Sequence, residues 1–163
     1  MSFPLEAFKY VCITRAEPGT IAADDKGNWF LIARTSGAAN NQAVRLSRSP
    51  NGNAPGDLVS PSEDDRVFIV AAPYSCSIRV DDIFDLRRRE DGPLLGAILL
   101  AEPPAIFTVD SERRLIGLDG HEIDAATVHR QRARYMKWSV WLVDPHGRQV
   151  GDKPLVEIDA TAQ

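Results

Sequence analysis

The chain is poor in the side chains that build metal and redox centres: two cysteines, three histidines and two methionines among 163 residues. There is no Cys-x-x-Cys pair and no pair of histidines four positions apart, so neither a structural zinc site nor the helical zinc-protease arrangement has its ligand spacing. Cys12 and Cys76 lie in the β-like segments YVCIT and YSCSI. Both read as small buried hydrophobes, and spacing leaves open whether a disulfide joins them.

Long hydrophobic runs are also missing. The longest, PLLGAILLA at 93–101, contains Gly96 and is far short of the ~20 residues a membrane-spanning helix needs. The opening MSFPLEAFKYV has no basic stretch leading into an apolar one, so a secretory signal is not expected and synthesis in the cytosol is. The net charge of -4 argues against nucleic-acid binding by the chain as a whole. Neither a Gly-x-Ser-x-Gly elbow nor a phosphate-binding loop ending in Lys-Ser/Thr occurs. Asp24-Asp25, Glu63-Asp64-Asp65 and Asp81-Asp82 lack the spacing of a calcium loop and read as turns or helix starts.

What is present is strand after strand. Phe8 to Arg15 alternates, Pro18-Gly19 signals a turn, and Asp24 to Asn28 is a polar turn before Trp29-Phe-Leu-Ile-Ala33. Ala43 to Ser47 alternates again. Arg66 to Ala72 is a continuous apolar run that fits a well-buried strand, and Ser75 to Val80 alternates after Pro73. Leu94 to Leu100 is ambiguous between strand and helix turn. Ile106 to Asp110 reads as a strand, and Leu115 to Leu118 runs into Asp119-Gly120, a tight-hairpin signal closed by Ile123-Asp124. Residues 124–134 form either a helix or a lead into the clearest strand, where Met136, Trp138, Val140 and Leu142 share one face. Leu155 to Ile158 is a final strand, and 159–163 a polar tail. Asp81 to Arg89 looks like a short helix, acidic at its start and basic at its end. Turn signals about every ten residues predict a mainly β, single-domain sandwich or barrel-like fold over 1–163, with one or two short helices.

Two stretches fit neither strand nor helix: 35–42 and 49–57, both rich in small polar residues. Loops of this length are usually functional, or flexible until something holds them, and the plain alternative is a floppy surface hairpin. Asp144-Pro145-His146-Gly147 puts an Asp and a His close together, but a type I turn favours Asp first, Pro second and Gly fourth. Backbone geometry therefore accounts for the motif, and His146 is a passenger.

Arginine outnumbers lysine, 15 to 4. The Arg87-Arg88-Arg89 run and the alternating Arg130, Arg132 and Arg134 suit carboxylates on another subunit. The expectation is a non-enzymatic structural or assembly protein, a subunit of a symmetric homo-oligomer or larger particle. Its concrete form is a bacteriophage virion component of the capsid-decoration, neck or tail kind. The expected contacts are Arg87, Arg88, Arg89, Arg130, Arg132, Arg134, Asn40, Asn41, Asn51, Asn53 and Trp141, and the partners are protein subunits, self or scaffold. No cofactor, metal or membrane is expected. A carbohydrate- or peptide-binding β module is the second reading, with Trp29, Trp138 or Trp141 as stacking platforms. A hydrolase built from His121, Glu122, Asp144 and His146 is the third.

Overall fold

The computed structural model describes residues 3–48, 54–81, 95–99, 104–107, 114–124 and 134–160. The chain is mainly β, in three antiparallel sheets of a sandwich-like fold. The first sheet holds β1 (Phe8–Cys12), β2 (Ile21–Ala23), β3 (Trp29–Ala33), β4 (Gln42–Arg45), β5 (Leu58–Val59) and β6 (Arg66–Val70), in the order β1-β6-β2-β3-β4-β5. The chain passes from β5, at one edge, across the sheet to β6 beside the other. A three-stranded sheet, order β14-β13-β7, combines β7 (Ser75–Val80), β13 (Lys137–Val143) and β14 (Val156–Asp159). The third sheet contains β8 (Ile98–Leu99), β9 (Ala105–Phe107), β10 (Leu115–Gly117), β11 (Glu122–Ile123) and β12 (Arg134–Tyr135), in the order β11-β10-β9-β8-β12.

One core joins the three. Leu31 and Val44 of the first sheet, Ile98, Ile106 and Ile116 of the third, and Trp138, Val140, Leu142 and Ile158 belong to one buried cluster. Trp138 is the largest of these, and its indole N–H donates to the Gly96 carbonyl at 2.8 Å, so a polar atom taken into the core has its partner. The alternation along β13 is what sends Trp138, Val140 and Leu142 inward together.

The first sheet is buried on its second face as well. Ala22, Phe30, Ile32, Ala43 and Val67 point away from the main core and pack with Ile13 and Ala16. That explains why Trp29 to Ala33 is apolar throughout rather than alternating. It also explains why the first strand is shorter than expected. It ends at Cys12, and Ile13–Arg15 is a single 3-10 turn whose Ile13 amide donates to the Asp65 carbonyl at 2.9 Å. The turn carries Ile13 back over the sheet, where burial stabilises it.

Other expectations change in detail. Within the segment Leu94 to Leu100, whose two end residues lie outside the described ones, Ile98–Leu99 is a strand. The strand over Ala43 to Ser47 is Gln42–Arg45, because the amides of Leu46 and Ser47 both turn to the Trp29 carbonyl. The last strand runs on to Asp159, and Ala160 is buried with its amide on the Met136 carbonyl at 2.8 Å, so the polar tail starts later than 159. The strand over Arg66 to Ala72 is not well buried throughout: Phe68 is exposed. The helix expected at 81–89 lies outside the described residues beyond Asp81, as does 125–133 of the helix-or-strand segment. No helix among the described residues is long and apolar enough to cross a membrane.

Candidate functional site

Asp144 to Gly147 is a turn. Gly147 N–H donates to the Asp144 carbonyl at 2.9 Å, and Gly147 has a φ of 74°. The Asp144 carboxylate accepts from the amides of His146 and Arg148, and from the Arg148 guanidinium at 2.7 Å. These bonds hold its carboxyl below the usual range, the Arg148 amide first among them. A carboxylate so occupied is a turn-former, not a base. Glu122 is engaged too, accepting from the Ser36 amide at 2.7 Å and the Ser36 hydroxyl at 2.5 Å. Glu122 lies in β11 of the third sheet, and Asp144 follows β13 of the three-stranded sheet.

The loop at 35–42 is tied to the fold. Besides the Ser36–Glu122 bonds, Thr35 Oγ1 lies 2.5 Å from Gln42 Oε1 and Asn40 Nδ2 donates to Glu63 Oε1 at 2.6 Å. Asn41 is buried, and its amide donates to the carbonyls of Ala16 at 2.7 Å and Ile13 at 3.3 Å. Asn41 thus holds the 13–16 segment over the second face of the first sheet and presents no surface of its own. Of the other expected contacts, Arg87, Arg88, Arg89, Arg130, Arg132, Asn51 and Asn53 lie outside the described residues, and Arg134 is placed in β12 by its backbone. Trp141 faces away from Trp138, as three-residue spacing on a strand requires. Arg79 lies over its ring at 4.8 Å, and its N–H donates to Ser139 Oγ. Trp29 packs against the main core. Trp138 is fully buried, while Trp29 and Trp141 are half-buried.

Two surface features stand out instead. The first is an aromatic pair. Tyr10 of β1 and Phe68 of β6 are register partners, with ring centroids 4.7 Å apart. They are 51 % and 40 % exposed. The Arg66 guanidinium lies 5.7 Å from the Tyr10 centroid. β1 is an outermost strand of its sheet, so the pair sits beside that edge.

The second feature is a groove of about 490 Å³ over the second face of the first sheet. Phe30, Ala43, Arg45 and Val59 line it from the sheet. Ser60, Pro61, Asp64 and Asp65, on the β5–β6 crossover, form one wall, and Asp24, Asp25 and Lys26, in the β2–β3 turn, another. That turn is rigid, because the Asp24 carboxylate accepts from the Lys26 and Asn28 amides and from the Asn28 side chain. Arg45 stands directly across from Phe30, its guanidinium 5.0 Å from the ring centroid. The residue is 8 % exposed, and Nε and Nη1 are buried without a hydrogen-bond partner. Arg45, Tyr10 and Phe68 were not singled out by sequence. Ala-Val-Arg-Leu reads as an ordinary alternating strand, and only its partners make Arg45 a buried residue.

No protein family, curated protein or solved structure matches the chain. The functional reading therefore rests on the geometry.

Proposed function

We propose that the chain is a non-enzymatic structural subunit that works by assembling with copies of itself. The observation that carries this reading is the exposed Tyr10–Phe68 pair. Water contact with two large rings is unfavourable, and burying such rings against a partner contributes much of the energy of many interfaces. Arginine shares that enrichment, and Arg66 already stacks on Tyr10. The sign of the surrounding charge favours a second copy as the occupant. Arg66 stands beside the rings, while Glu63, Asp64 and Asp65 immediately precede it on an exposed segment. Adjacent patches of opposite sign are self-complementary across a two-fold axis, where each copy sets its cations against the other's carboxylates. A symmetric oligomer is one setting for such a contact. A larger particle, including the capsid, neck or tail of a virion, is another.

Absolute mass in solution tests this, by light scattering behind a sizing column across a range of concentrations. The expected result is a species of at least twice 18.0 kDa. Phe68→Ser should weaken the association by about 30-fold, the loss of a contact worth ~2 kcal/mol. A monomer at every concentration, or an oligomer indifferent to Phe68→Ser, would overturn the reading.

A further inference from the structure

We infer that the groove over Arg45 is a binding site for a small molecule carrying a carboxylate at one end and an ammonium at the other, separated by an apolar chain. This goes beyond the assembly reading and does not rest on it, although the groove shares Tyr10, Asp64, Asp65 and Arg66 with the proposed subunit contact.

The argument starts from the cost of the empty arrangement. A guanidinium taken out of water loses several kcal/mol of hydration unless ion pairs and hydrogen bonds replace it. Arg45 is more than nine-tenths buried, and among the described residues nothing accepts from Nε or Nη1. The Phe30 ring supplies a cation–π contact, which satisfies no N–H. Arg45 projects from β4 on the face that bears Phe30 and Ala43, and that face lines the groove. Arg45 lines the groove, and its buried, unmet donors are matched by an anion that enters there as the guanidinium turns toward it. Guanidinium selects carboxylates or phosphates.

The remaining lining decides between those two. Four carboxylates line the groove, Asp24, Asp25, Asp64 and Asp65, against the three cations Lys26, Arg45 and Arg66. The net field is negative, so a doubly charged phosphate is disfavoured and a single carboxylate on Arg45 is tolerated. Asp24 and Asp65 are already engaged, the latter accepting from the Ser62 amide at 2.8 Å. Asp25 and Asp64 are exposed and accept no hydrogen bond from the described residues. They stand where the ammonium of a ligand would find them. Phe30, Ala43 and Val59 line the same groove and provide the apolar surface an alkyl chain needs.

The test is an NMR titration of the full chain with 6-aminohexanoate, hexanoate and inorganic phosphate as separate probes. With 6-aminohexanoate, saturable shifts are expected at the amides of Phe30, Ala43 and Arg45. Hexanoate should bind the same residues at least about threefold more weakly, the scale of an exposed ion pair. Phosphate should not bind there. Arg45→Met should abolish both organic interactions, and the double substitution Asp25→Asn with Asp64→Asn should bring 6-aminohexanoate down to hexanoate. That double variant touches only exposed side chains, so it decides the matter even if Arg45→Met fails to fold. No shift up to ~10 mM, well above a millimolar Kd, overturns the proposal. So do hexanoate or phosphate binding at least as tightly as 6-aminohexanoate, persistence of binding in Arg45→Met, and an unchanged preference in the double variant. Tyr10, Asp64, Asp65 and Arg66 line the groove and also belong to the proposed subunit contact, so the titrations are run at protein concentrations where light scattering gives a monomer; the shifts are expected there unchanged, and the site and the contact then fail or stand separately.

Discussion

Gly120 lies so close to Gly19 that a Cβ on Gly120 would sit 2.0 Å from the Gly19 amide nitrogen. The same atom would meet the Ile32 carbonyl oxygen at 2.5 Å and the Pro18 carbonyl carbon at 2.6 Å. All three are backbone atoms, so no side chain can swing aside. Two turns are stacked here, and the contact joins the first sheet to the third. Next to it, the Arg34 amide donates to the Gly120 carbonyl and the Glu122 amide to the Arg34 carbonyl.

Gly120→Ala is therefore expected to cost about 3 kcal/mol or more, combining overpacking with a strained positive φ. Gly147→Ala has the second penalty alone, because nothing lies within 4 Å of its Cβ position. It should cost only ~1 kcal/mol. Urea denaturation of the two variants beside the parent measures both. Equal losses would remove the packing argument at Gly120.

Asn41 anchors the 13–16 segment through two carbonyls. Asn41→Leu should destabilise the protein by about 2 kcal/mol, because buried acceptors lose their donor. The damage should be local first. Hydrogen exchange at Ile13 and Ala16 is expected to rise before that of β13. Uniform loss of protection would mean that the anchor is not confined to this segment.

Asp144 binds its turn as a carboxylate, and its pKa lies below the ordinary value near 3.9. Its contribution to stability is thus fully present above the unfolded-state pKa and lost as pH falls through the lower folded-state value. Asp144→Asn should melt at a lower temperature than the parent at pH 7. The difference should shrink as the pH drops below about 4. A gap that stays constant from pH 7 to pH 2 would show that charge plays no part.

The two free cysteines should behave oppositely towards a thiol reagent. Hydrogen bonds from Thr14 draw the Cys12 thiol below its usual range, while burial pushes Cys76 up to about 11. A shift that large leaves Cys76 with roughly a hundredfold less thiolate at neutral pH than an ordinary cysteine. Alkylation at pH 8 should then show one fast phase, absent in Cys12→Ser, and a second that appears only on unfolding or in strong alkali. Labelling of both thiols at one rate would contradict the difference.

Local chemistry made much of the framework legible. Asp-Pro-His-Gly, Asp-Asp-Lys-Gly-Asn and Asp-Gly carry their turns in the side chains themselves, since Asp accepts nearby amides and Gly takes the positive φ. The alternation at Met136, Trp138, Val140 and Leu142 needed only the two-residue period of a strand. The extent of the first strand was not legible, because Ile13 fits a strand equally well. Its 3-10 turn is decided by a carbonyl at Asp65, far away in sequence. The loop at 35–42 is polar in sequence, yet Glu63 and Glu122 tie it down from two distant segments.

The candidate sites were hidden for the same reason. Tyr10 and Phe68 look like interior residues of apolar strands, and only the pairing of β1 with β6 leaves their rings side by side in water. Arg45 looks like the polar position of an alternating strand. It becomes a buried cation because the β5–β6 crossover and the 13–16 segment cover the second face of its sheet.

The sequence by itself determined the β character of this protein, its turns and the inward face of its central strand, because each follows from bonds and periods spanning a few residues. Tertiary structure alone decided which apolar side chains stay exposed and which charge loses its water, because burial is a property of pairs of segments, and no single segment records its partner.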